Sequence, residues 1–270
     1  RVAFSHQTLL DYLIVRYYVS ESKSLLEFIL DHPQLPFIRP AIRSFLLYLH
    51  SIDSREFSKE VLRILKEERV AYHVKRLIVE SLSEIIPITE NEVGLINNIH
   101  KNFPDFFNRF LQRVTSIEWF DAMHPKLTQA IFENRENDSV KITFLYALEK
   151  WMNTCPDKIV ECWNFVMSSP DPFFGPIIWM IDKFTEWETE EIEEILRKLS
   201  RLESNKTNDR WAGRAISKYV RATNKGDELL WQYIIQDVPE GVISYTFIHS
   251  HDKSLYCSEH HFDEKKFLFE

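Results

Sequence analysis

Apolar side chains recur at i, i+3, i+4 and i+7 along almost the whole chain, and strict alternation is nearly absent. That period describes a helix with one buried stripe, and it excludes a sheet as the main framework. Leu9, Leu10, Leu13, Ile14 and Tyr17 form one stripe; Leu25, Leu26, Phe28 and Ile29 form the next. Ile42, Phe45, Leu46 and Leu49 follow, then Val61, Leu62, Ile64 and Leu65, then Leu77, Ile78, Leu82 and Ile85. Farther on come Phe144, Leu145, Leu148 and Trp151, and finally Ile192, Ile195, Leu196 and Leu199. Only 5 of the 270 residues are glycine, too few for the turns and phosphate loops of an α/β nucleotide fold.

Helix ends carry the expected chemistry. Thr89 with Glu92 makes a capping box, and Asp53-Ser54, Asn137-Asp138 and Asn208-Asp209 are N-cap candidates. Pro40, Pro104 and Pro156 suit a first helical turn, where a missing N–H costs nothing. The helices group in pairs, with first helices expected near Ser5, Arg39, Ala71, Pro104, Ser139, Phe173 and Asp209. Each pair occupies about 34 residues, the size of one helix–turn–helix unit in a solenoid. The tetratricopeptide consensus is missing, so the expected fold is an all-α, HEAT-like α-solenoid of about seven hairpins. A compact helical bundle is the rival. Residues 21–240 would form the repeat region, and 241–270 an irregular end in which Val242 to Ile248 forms a strand or a capping helix.

Charge and cysteine content narrow the function. The formal net charge is −8, which disfavours nucleic acid or an anionic membrane as the main partner, although a local basic face is compatible with it. The longest apolar run, Phe173 to Ile181, contains Pro176 and is too short to span a bilayer. Cys155, Cys162 and Cys257 are too few for a disulfide framework and point to a reducing, cytoplasmic setting. No signal peptide is expected. The chain opens at Arg1 and closes on Lys266-Phe267-Leu268-Phe269-Glu270, so it is expected to be a piece cut from a longer protein.

The opening residues carry a pattern of their own: Phe4, His6, the polar pair Gln7-Thr8, Leu9, and Asp11-Tyr12. It resembles the end of the winged-helix domain in STAND NTPases of the NACHT type, the switch ATPases that include NOD-like receptors and bacterial antiviral sensors. The stretch from Ser24 through Arg43 to Leu49, and Val70 to Leu82, also look like bacterial members of that group. The resemblance is most specific over residues 1–19, weaker to about residue 86, and absent as a motif beyond. It implies that residues 1–20 are the tail of a winged-helix domain, and that His6 senses the phosphate of bound ADP in the full-length protein. It further implies a cytoplasmic, bacterial parent using ATP or ADP with Mg, with a role in antiviral defence. The chain itself has no Gly-x-x-x-x-Gly-Lys-Ser/Thr loop, so the NTPase and its cofactors would lie upstream.

Two other clusters carry chemistry. His249, His251, Cys257 and His260 have spacings that zinc sites use, though without a Cys-x-x-Cys pair, and a polar loop is the simpler reading. Arg210, Arg214, Lys218 and Arg221 recur along one helical face and are candidates for a basic groove that binds nucleic acid or an acidic partner. Glu186 through Glu194 crowd the start of the preceding helix, and surface ion pairs between the two faces are the simplest expectation. No nucleophile or acid–base pairing stands out, so no catalytic residue is expected. The sequence therefore points to a non-catalytic sensor or scaffold that binds a protein ligand or its own upstream NTPase domain. A free-standing HEAT-like adaptor and a metal-dependent hydrolase using the His/Cys cluster are the rivals.

Overall fold

A computed structural model of the protein describes residues 7–133, 138–169, 174–189, 191–201 and 206–230. Every regular element among them is helical. The chain divides into two compact units, residues 1–147 and 148–270.

The first unit opens with α1 (Gln7–Ser20) and α2 (Leu25–Asp31), then a 3-10 turn over Pro36–Ile38. It continues through α3 (Arg39–Ile52), α4 (Ser54–Lys66), α5 (Tyr72–Leu82), α6 (Glu90–Asn102) and α7 (Pro104–Arg113). Two shorter helices, α8 (Ile117–Met123) and α9 (Lys126–Glu133), precede α10 (Asp138–Leu148), at whose end the unit stops. Pro125 separates α8 from α9, because proline cannot donate to the preceding turn.

Helices pack on their next-but-one neighbours. α1 lies on α3, α3 on α5 and α5 on α7; α2 lies on α4 and α4 on α6. Two rows result, joined where α3 meets α4 and α6 meets α7, and the core lies between them. Ile42, Phe45, Phe57, Ile64, Ile78, Ile99, Phe107 and Phe110 are fully buried there. Hydrogen bonds then tie each hairpin to the one after it. The Leu26 N–H donates to Glu60 Oε1 at 2.8 Å, 34 residues away, which caps the start of α2 with a carboxylate from α4. The Asn91 amide donates to Ser54 Oγ at 2.7 Å across 37 residues, and the Asn108 amide to Ser139 Oγ at 3.1 Å across 31.

The second unit contains α11 (Pro156–Met167), α12 (Phe174–Ile181), α13 (Ile192–Ser200) and α14 (Lys206–Thr223). Here α11 packs on α13 and α12 on α14. Trp151, Trp163, Ile177, Met180, Ile195 and Ile216 fill its core. Asn208-Asp209 does not cap α14, which already begins at Lys206, so the pair lies inside the first turn.

One stripe departs from expectation. Leu9, Leu13 and Tyr17 of α1 are exposed together with Tyr12, and Val15 is the one buried residue among the described side chains of α1. Helical period marks an apolar face, but it does not say whether a neighbour covers it. Residues 231–270, including Val242 to Ile248, lie outside the described residues.

Candidate functional site

The two rows of the first unit differ in charge. Helices α1, α3, α5 and α7 carry seven Arg or Lys against three Asp or Glu, a formal +4 with His neutral. Helices α2, α4 and α6 carry five against six, a formal −1. A chain of net charge −8 thus concentrates positive charge on one helix row.

Arg43, Arg76 and Arg109 are the rungs of that row. They fall 33 residues apart, one on each of α3, α5 and α7. On α3 the buried side holds Ala41, Ile42, Phe45 and Leu46, which turns Arg43 and Leu47 outward. On α5 the same logic exposes Tyr72 and Arg76 beside a buried Val74, Leu77 and Ile78. Glu80 receives Arg76 Nε at 2.9 Å and approaches Arg113 Nε at 3.9 Å, so one carboxylate bridges α5 and α7. The rings of Tyr72 and Phe106 stack across the same two helices with centroids 5.3 Å apart. The side chains of Arg16, Arg39 and Arg43 make no hydrogen bond or ion pair with another described residue. Between α1 and α3 the surface dips into a pocket of about 200 Å³ lined by Tyr12, Val15, Arg16, Ser44 and Tyr48. The ladder ends at α10, where Ile142 and Tyr146 stand 33 residues after Arg109 and Arg113.

Charged groups within the packing serve the fold. Glu92 is buried; the Thr89 backbone N–H donates to its Oε2 at 2.7 Å and its Oε1 lies 3.4 Å from His50 Nε2. Burial raises the Glu92 pKa, but hydrogen bonds from Thr89 and Ser54 outweigh it and hold the carboxyl below its ordinary range. His100 is buried beside Phe107, and that burial lowers its pKa. Glu60 is anchored by Leu26 N–H and by Arg63 Nη1 at 2.9 Å.

The sites read from sequence are distributed differently. His6, His249, His251, Cys257 and His260 lie outside the described residues, as does the side chain of Arg210. Arg214 Nε and Lys218 Nζ both reach Asp182 Oδ1, at 2.8 and 2.7 Å, and Lys218 also donates to the Asp182 carbonyl. These two cations therefore close off the C-terminal end of α12, where the helix dipole and its last carbonyls favour positive charge. Their acid is Asp182. From the glutamate-rich segment, Glu193 instead accepts a hydrogen bond from the Tyr219 hydroxyl at 3.1 Å. Arg221 is exposed at the far end of α14.

Among the described residues no group of three or more His, Cys, Asp or Glu is placed to hold a metal ion, and no helix is long and apolar enough to cross a membrane. Cys162 is buried, and the Cys155 thiol donates to the Trp151 carbonyl at 3.4 Å. Compared with protein-family models, curated proteins and solved structures, the chain matches none. What the first unit offers is one helix row with a formal excess of positive charge and with exposed Leu47 and Tyr72, an arrangement suited to binding.

Proposed function

We propose that the chain is the helical-repeat sensor or scaffold region of a STAND-type ATPase switch, folded as a HEAT-like α-solenoid, and that the arginine-bearing row is its recognition face. The observation that carries the reading is the segregation of charge: +4 on one row of a chain whose total is −8. Packing alone does not require this, since both rows bury apolar faces equally well. The next-but-one helix pairing and the hydrogen bonds that span 31 to 37 residues support repeats as the building plan. The resemblance of Phe4, His6 and Asp11-Tyr12 to the end of a winged helix supports the parent class.

In this reading the recognition face engages a macromolecular ligand or the ATPase itself. A ligand switches the parent only if it binds the open state more tightly than the closed one. His6 would report nucleotide by donating to the ADP phosphate in the full-length protein. The test is twofold. The coding sequence upstream of Arg1 is expected to encode a P-loop and a Walker B acidic strand. His6→Ala in that full-length protein is then expected to lower the fraction of protein purified with ADP. An upstream sequence without a P-loop sinks the switch and leaves a free-standing helical-repeat adaptor.

A further inference from the structure

We infer that the outer face of α3, α5 and α7 binds an extended acidic peptide segment, one carboxylate to each of Arg43, Arg76 and Arg109. The inference rests on the reading of this row as a recognition face and adds the chemistry of its ligand.

Three observations select the ligand. First, the rungs are arginines, whose planar forks suit carboxylates: the Arg43 side chain has no partner among the described residues, Arg76 gives its Nε to Glu80, and Arg109 donates through Nη1 to Gln112 Oε1 at 3.2 Å, which leaves further N–H groups on each fork for a ligand. Second, the pitch fits. Neighbouring packed helices lie about 8–10 Å apart, and a polyproline II segment returns to the same face every third residue after about 9 Å. A segment with Asp or Glu at every third position therefore meets successive rungs without bending. Third, apolar surface lies between and beside the rungs: Leu47 is 57% exposed and Tyr72 55% exposed. The intervening residues of a peptide can cover such groups.

Nucleic acid is also a polyanion, but it suits this surface less well. Its affinity comes largely from a uniform phosphate field, which a chain of net charge −8 opposes. Single-stranded recognition adds open aromatic faces for stacking. Tyr72 and Phe106 already stack on each other at 26° between planes, which occupies one face of each ring.

The experiment uses the full 270-residue chain and a fluorescein-labelled peptide of repeated Glu-Pro-Leu triplets, read by anisotropy. Repeated Gln-Pro-Leu triplets and polyuridylate are run beside it. The expected result is salt-sensitive binding of the Glu peptide, none of the Gln peptide, and a loss of about five- to tenfold for each of Arg43→Glu and Arg109→Glu. Arg43→Glu breaks no side-chain hydrogen bond or ion pair with another described residue, so an unchanged thermal midpoint separates lost binding from lost structure. Equal binding of the Glu and Gln peptides, unchanged affinity in both variants, or binding of polyuridylate without the peptide would each overturn the inference. Absence of a P-loop upstream would defeat the switch reading and leave this peptide site standing. A P-loop upstream with no peptide binding would do the reverse.

Discussion

At the scale of single residues, the informative groups are charges inside an otherwise apolar seam. Glu92 closes its own helix in a capping box with Thr89 and faces His50 from the neighbouring hairpin, so one carboxylate serves two elements. Its removal takes away a cap and a charged hydrogen bond and leaves His50 facing an apolar side chain. Glu92→Ala is expected to cost about 2–3 kcal/mol, seen as a lower urea midpoint with an unchanged slope. The pH dependence has a definite sign. The folded carboxyl titrates below its ordinary value near 4.5, so its stabilisation is present above that value and is lost as pH falls through the folded pKa. The gap between wild type and Glu92→Ala is therefore expected to be full above about pH 5 and to close on acidification. A gap that stays constant down to pH 3 would show that the carboxylate charge contributes nothing.

At the scale of elements, much of the architecture was readable. Helices were expected near Arg39, Ala71 and Pro104, and α3, α5 and α7 begin at Arg39, Tyr72 and Pro104. Proline in the first turn fixes the starts of α3 and α7 locally, and the apolar period of Val74, Leu77 and Ile78 marks α5. What could not be read was anything that depends on a neighbour. Arg43 and Arg76 are exposed and Arg109 half-buried in their own helices, and their common 33-residue step acquires meaning only once α3, α5 and α7 lie side by side. The run from Arg210 to Arg221 drew attention because it sits on one helix, yet Asp182 of another segment holds two of its members. The glycines make the same point. Gly94 lies exposed within α6, where an added Cβ meets nothing within 4 Å. Gly226 follows α14 at φ +83°, and an added Cβ would fall 2.7 Å from the ring of buried Tyr219. Gly94→Ala is expected to stabilise by about 0.5–1 kcal/mol through reduced backbone freedom of the unfolded chain. Gly226→Ala is expected to destabilise by at least about 1–2 kcal/mol, from the left-handed backbone and the clash together. Thermal unfolding of the two variants checks both, and equal shifts in one direction would contradict the assignment of their environments.

At the scale of the whole molecule, the inferred recognition face of the first unit falls on helices that row neighbours hold in place, and the exposed apolar face falls on α1 at the end of the row. In the first unit α3 and α5 each have row neighbours on both sides, whereas α1 has α3 on one side and the exposed Leu9, Tyr12, Leu13 and Tyr17 on its own surface. Stacked repeats gain stability from each neighbour, so opening should be easiest where one neighbour is missing. Hydrogen exchange at neutral pH is expected to show α1 amides exchanging roughly ten- to a hundredfold faster than those of α3 and α5. The recognition face inferred above lies on α3, α5 and α7, the protected part of the row, so its arginines are held at fixed spacing before any ligand arrives. A rigid ladder loses little freedom on binding, which favours a repeating ligand over an irregular one. Protection of α1 equal to that of α5 would mean that its apolar face is covered in solution by material that packs as a further row member. In that case Leu13→Asp is expected to release α1 to fast exchange while leaving α5 protected, which would separate a covered α1 from a helix that is stable on its own.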